Sequence, residues 1–183
     1  MYCIDLNIPV LFLKPNVDIT TFKEQRHFKF DTALISDDIK QWLADRDITI
    51  GYTECFYNPP YGSTPLHLDN KGEDFTRLNW IYGGKGNSMI WFKPKHGVTP
   101  VSKPNRVGTS YLGFEPDDVV EVYRQEVLGT PSIVRVGIPH QLINGSEARW
   151  AISVTPLYKG FKITWDNAVM LFGGGYRTRT DHP

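Results

Sequence analysis

From Ile48 onward the chain is a succession of short runs rich in β-branched and aromatic residues, set apart by Gly, Pro and Asn: Ile48 to Tyr57, Leu66 to Asp69, Thr76 to Tyr82, Ser88 to Phe92, Val119 to Leu128, Ser132 to Ile138 and Arg149 to Tyr158. Residues of these types fit a pleated surface, and many short strands with turn signals between them predict a mainly β sandwich or barrel. One helix precedes them. Ser36 is placed as its N-cap, with Asp37 and Asp38 in the first turn where carboxylates meet the positive helix end. Ile39, Trp42 and Leu43 follow as an i, i+3, i+4 apolar stripe that should pack on the outside of a sheet.

With 183 residues, 40% of them hydrophobic, the expected solution is a single domain, 1–183, with its core over about 48–158. The run from Ile8 to Leu13, broken by Pro9, reads as an early strand and is too short to cross a membrane. No basic leader with a small-residue cleavage site accompanies it, so neither export nor membrane insertion is expected. The stretch from Lys93 to Pro116, punctuated by four prolines and three glycines, reads as a long connection; such connections are often functional, and it is expected either to border a substrate entrance or to act as a spacer. Phe161 to Phe172 should finish the core, and the polar tail from Gly173 to Pro183 has little apolar surface to hold it down.

Chemistry concentrates in Pro65-Leu66-His67-Leu68-Asp69 and, far downstream, in His140 and Arg149. Side chains two apart on a strand share a face, so His67 and Asp69 offer one nitrogen and one oxygen ligand together while Leu68 points into apolar packing. Ile133 to Pro139 reads as a strand ending in a turn that presents His140 as a third ligand. Two histidines and one carboxylate that meet in space are the protein half of a mononuclear iron site with open positions. Asn144-Gly145 is a hairpin signal of the type I′ kind. A two-residue loop there would set His140 directly opposite Arg149 with Cβ atoms roughly 5 Å apart. In a sandwich whose connected strands enter facing sheets, the two would share a neighbourhood without pairing.

His67, Asp69, His140 and Arg149 together resemble the pattern of the 2-oxoglutarate/Fe(II)-dependent oxygenases: His-x-Asp, a distal His, and a basic residue about ten positions later. The runs Arg77 to Tyr82 and Ser88 to Phe92 are similar to the strands that follow the first ligand pair in small members of that group, phage-encoded ones among them. The resemblance covers roughly Ile48 to Tyr158 and implies a double-stranded β-helix, that is, a jelly roll of cupin-like type. It further implies Fe(II) held by His67, Asp69 and His140, with 2-oxoglutarate chelating the metal and its far carboxylate paired to Arg149. Dioxygen would then drive hydroxylation of a substrate, with release of succinate and CO2. Members with an Arg-x-Ser pattern use that serine on the same carboxylate; here the position is Ala151. Ser153 shares the face of Arg149 but lies about 13 Å along the strand. Asn79 or Tyr57 on neighbouring strands is expected to take its place.

Two other classes share these features. A cupin-type metalloenzyme would use the same jelly roll without 2-oxoglutarate, with His96 as the only spare imidazole in reach. A non-catalytic jelly-roll binding module would carry the three residues incidentally. His27 sits among charges and is expected in solvent, and His182 lies in the tail. Alternation directs Trp150 away from Arg149, toward the outer layer. Twenty basic and twenty acidic residues cancel and leave no electrostatic footprint for nucleic acid, so a small-molecule or peptide substrate is expected. Two cysteines make no disulfide framework, and with ferrous iron they point to a reducing cytoplasm.

Overall fold

The computed structural model describes residues 1–8, 12–23, 25–69, 73–105, 108, 110–126 and 131–172. In chain order the strands are Cys3–Asp5 (β1), His27–Lys29 (β2), Ile48–Asn58 (β3), His67–Asp69 (β4), Thr76–Gly83 (β5), Ser88–Pro94 (β6), Val101–Pro104 (β7), Ser110–Gly113 (β8), Val119–Glu126 (β9), Ser132–Arg135 (β10), His140–Ile143 (β11), Arg149–Tyr158 (β12) and Phe161–Lys162 (β13). Two helices, Asp37–Ala44 (α1) and Trp165–Phe172 (α2), complete the regular structure.

The strands form two antiparallel sheets. One runs β1-β10-β5-β12-β3-β2 with β13 alongside β12, and the other runs β7-β8-β4-β11-β6-β9. Within them, β3-β12-β5-β10 and β4-β11-β6-β9 are two four-stranded layers between which the chain repeatedly crosses, which is the winding of a jelly roll, or double-stranded β-helix. Alternation along β5 and β12 divides the core accordingly. Leu78, Trp80, Ile152 and Val154 face outward and pack with Ile39 and Leu43 of α1 and with Trp165, Ala168 and Phe172 of α2. Ile81, Ala151 and Val134 face inward and pack with Met89 and Trp91 of the other sheet. The first sheet is therefore covered on both sides, and its inward face is the floor of the space between the layers.

The expected α1 forms as read. The Ser36 hydroxyl accepts from the Ile39 amide at 3.3 Å, and Ile39 and Leu43 are buried. The C-terminal segment supplies α2, whose buried Trp165, Ala168 and Phe172 lie one above another on one face.

Two expectations need correction, and a third falls in large part outside the described residues. The run Ser132 to Ile138 ends as a strand at Arg135, because there the chain leaves the first sheet for the second. A Cβ at Gly137 would lie against the Glu73 carbonyl oxygen and 2.9 Å from the Asp74 Cα, so only glycine permits this crossing beside the segment after β4. The stretch Lys93 to Pro116 is no simple connection: it contributes β7 and β8, a hairpin that extends the second sheet from β4. Of the run Ile8 to Leu13, residues 9–11 lie outside the described residues, and Leu13 makes an isolated bridge to Ile35 while β1 lies earlier, at Cys3–Asp5. Residues 173–183 also lie outside the described residues.

Candidate metal centre

Strand β11 lies between β4 and β6, so that His140 pairs with His67 on one side and Trp91 on the other. Directly paired residues share a face, and Trp91 belongs to the cluster between the layers; the two histidines therefore project into the same space. Their ring centroids are 4.5 Å apart. His67 Nε2 is 3.3 Å from Asp69 Oδ1, and the potential ligand atoms of His67, Asp69 and His140 all lie within 4.8 Å of one another. Metal bonds of about 2.1 Å at right angles leave neighbouring ligand atoms about 3 Å apart, so the His67 and Asp69 atoms already stand at the spacing of adjacent ligands.

Local backbone geometry aims both rings. His67 Nδ1 donates to the Pro65 carbonyl at 2.7 Å, and His140 Nδ1 donates to the Ile138 carbonyl at 2.9 Å. A histidine whose Nδ1 carries the proton presents Nε2 as the ligand. Burial pushes the His67 imidazole down, but the hydrogen bond and charge of Asp69, with the Pro65 carbonyl, outweigh it and the net shift is upward. Burial, then the charge of His67, lowers His140 to about 4, so it stays neutral. Burial would raise the Asp69 carboxyl, yet the hydrogen bond and charge of His67, with His140 and Arg77, hold it well below the usual carboxylate range. The Asp69 carboxylate is thus set to meet a positive charge, whether a proton on His67 Nε2 or a cation in its place.

Arg149 opens β12 and faces the same interior as Ala151, two residues on. It is 4% exposed, its Nε has no hydrogen-bond partner, and no described residue pairs with its charge. Burial alone lowers it to about 10, leaving it a cation at neutral pH. Gly84, at φ +78°, leaves room for its stem: a Cβ there would sit 3.0 Å from the Arg149 Cβ and Cγ.

Of the two arrangements open to His140 and Arg149, direct pairing across a hairpin and a shared neighbourhood in facing sheets, the structure has the second. Arg149 pairs with Asn58 and Gly83 in the other sheet, and neither Asn144 nor Gly145 takes the positive φ of a type I′ turn. The Asn144 side chain shapes the connection by donating to the carbonyls of Asn58, Pro59 and Glu147. The two expected partners of Arg149 also move. Tyr57 sits opposite Trp150 with ring centroids 5.1 Å apart, which is the outward face. Asn79 faces inward with a buried Oδ1 that has no partner, but it pairs with Ser153, about 13 Å along the strand from the level of Arg149. Directly across from Arg149, on the side away from Gly83, is Asn58, whose buried Nδ2 has no partner among the described residues.

Of the other histidines, His96 is exposed in the turn after β6, and His182 lies outside the described residues. His27 is not in solvent as expected. Its ring stacks on Phe56 at 4.3 Å, and its Nε2 lies 2.8 Å from Glu54 Oε1. Glu54 also receives the Arg77 guanidinium, Nη2 to Oε2, at 2.5 Å. Glu54 and Arg77 escaped the sequence reading, although each is a lone charge inside an otherwise apolar strand run, which is the signal that would have found them. The Lys93 to Pro116 stretch reaches the cluster through Tyr111, which pairs with Asp69 and sets its ring edge-on to His67 at 5.3 Å.

No family model matches the sequence, and no curated protein matches it. Among solved structures, the chain is similar to an oxidoreductase of the 2OG-Fe(II) oxygenase family from Burkholderia pseudomallei, at 8% identity and a TM-score of 0.39 over 71% of this chain and 56% of that one. It is similar to E. coli ycfD at 16% identity and a TM-score of 0.34 over 78% of this chain and 36% of that one. It is similar to AviO1 from Streptomyces viridochromogenes Tue57 at 15% identity and a TM-score of 0.34 over 65% of this chain and 56% of that one. The chain spans about half or less of the length of these proteins.

Proposed function

We propose that this protein is an Fe(II)- and 2-oxoglutarate-dependent oxygenase that hydroxylates a small-molecule or peptide substrate. The observation that carries the reading is the coincidence, between the same two layers, of a His67-Asp69-His140 ligand set and a buried Arg149 with no counter-charge among the described residues. A buried cation without a partner is costly, and a ligand carboxylate would repay that cost. A metal without 2-oxoglutarate leaves Arg149 unexplained, which favours this reading over a cupin-type enzyme.

His67, Asp69 and His140 would hold the iron, displacing whatever proton His67 Nε2 carries. With 2-oxoglutarate and dioxygen, the bound metal supplies the oxidising chemistry that yields succinate, CO2 and a hydroxylated C–H bond. Arg149 meets the far carboxylate with its planar fork, and Asn58 across from it donates from Nδ2 in place of the serine missing at Ala151. Asn79, deeper along β5, lines the wall where the substrate or the body of 2-oxoglutarate lies. Ile81, Met89, Trp91 and Ala151 pack between the layers, keep the surroundings of the site apolar and exclude water. The balanced charge provides no nucleic-acid footprint, and two free thiols with ferrous iron suit a reducing cytoplasm. Among the described residues, no helix is long and apolar enough to cross a membrane.

The test is an anaerobic absorption titration with Fe(II), before and after addition of 2-oxoglutarate. A visible metal-to-ligand charge-transfer band should appear and be absent in His140→Ala. Arg149→Ala should keep the metal and bind 2-oxoglutarate about 10- to 100-fold more weakly, the value of one charge-assisted pair. A folded wild-type protein that takes up Fe(II) but never develops the band would make this a metalloenzyme of another kind. One that takes up no metal would make it a binding module.

A further inference from the structure

We propose that Arg77, clamped by Glu54 and Thr155, is the positioning residue of the carboxylate ligand Asp69; the proposal rests on the metal reading above. The two oxygens of Asp69 are addressed separately. Oδ1 turns to His67 Nε2 at 3.3 Å, and Oδ2 turns to Arg77 Nε at 3.9 Å. Among the described residues this Nε is buried and makes no hydrogen bond, so the third face of the guanidinium is open to the carboxylate.

The other two faces are occupied. Arg77 Nη1 donates to Thr155 Oγ1 at 2.8 Å, and Nη2 meets Glu54 Oε2 at 2.5 Å, while the second Glu54 oxygen, Oε1, lies 2.8 Å from His27 Nε2. These contacts come from four strands, since Arg77 lies on β5, Thr155 on β12, Glu54 on β3 and His27 on β2. The Glu54 side chain is 4% exposed and that of Arg77 11%. A buried ion pair is a poor way to join strands, because apolar residues of similar size do so at least as well. Its special property here is direction. A planar fork held at two corners cannot rotate, so the charge at its third corner, 3.9 Å from Oδ2, draws that oxygen away and favours Oδ1 as the single ligand oxygen. An Asp69 freed from Arg77 could swing both oxygens toward the metal and close one of the positions that cosubstrate and dioxygen need.

The experiment uses Co(II), whose visible bands report coordination geometry, on the full chain. Arg77→Met combined with Glu54→Gln removes both buried charges together and so avoids leaving one unpaired, and Arg77→Lys keeps the charge and removes the fork. Both variants should fold with the wild-type circular dichroism spectrum, bind Co(II) about 10- to 100-fold more weakly and show an altered Co(II) band. If only one variant folds, that one decides. Co(II) affinity within about twofold of wild type with an unchanged band overturns the positioning role while leaving the metal site standing. A wild-type protein that takes up no Co(II) overturns both.

Discussion

The two histidines of the cluster do different work because their surroundings differ. His67 is raised above its ordinary value by Asp69 against the effect of burial, whereas His140 is held down to about 4 by burial and by the charge of His67. Metal binding must displace whatever protons the ligands carry. From the elevated pKa of His67 down to about 4, the metal-free site carries one such proton, on His67; below that it carries two. Metal affinity should therefore be flat above the His67 pKa, fall about tenfold per pH unit through the interval below it, and steepen only near pH 4. Isothermal titration with Co(II) across pH 5 to 8 in buffers of different ionisation enthalpy checks this, and release of two protons anywhere in that range would contradict it. His67 and Asp69 were legible as a pair because their shared face follows from the two-residue period of a strand, a local property.

At the scale of elements, the site depends on where one strand ends. The apolar run from Ser132 onward could have continued through Ile138 on periodicity alone, yet β10 stops at Arg135 and the Val136 amide donates to the Phe75 carbonyl at 3.3 Å. The crossing delivers β11 between β4 and β6 and puts His140 beside His67. Gly137→Ala should push the segment around Glu73 and Asp74 away, lowering stability by about 1–3 kcal/mol and weakening metal affinity with it. Ser36→Ala, which removes the α1 cap on the far side of the first sheet, should cost about 1 kcal/mol and leave metal affinity unchanged. Denaturant melts together with Co(II) titration of the two variants separate these effects, and equal loss of affinity in both would refute the role given to the crossing.

At the scale of the whole molecule, the candidate metal ligands and Arg149 sit on opposite layers, and the inward faces of those layers draw on residues as distant in sequence as His27 and Arg149. A ligand bound by the folded state stabilises the entire sandwich. Co(II) at 100 times its Kd should add about 2.7 kcal/mol, raising the melting temperature by about 5–10 °C for a domain of this size. His67→Ala should abolish the rise. A calorimetric scan with and without metal is the check, and an equal rise in the variant would place the cation elsewhere.

The amino-acid sequence by itself determined the mainly β class, the existence of a strand in each of the seven runs though not where the one from Ser132 ends, the capped α1 and the common face of His67 and Asp69. Each of these rests on periodicity or on contacts within a few residues. Only the tertiary structure decided that His140 pairs with His67 and not with Arg149, that Asn58 and not Tyr57 lies across from Arg149, and that His27, Glu54 and Arg77 form a buried chain ending at Asp69. Partners of that kind are set by which sheet each strand enters and in what register. A one-residue slip of register exchanges the two faces of a strand, and no local pattern records the choice.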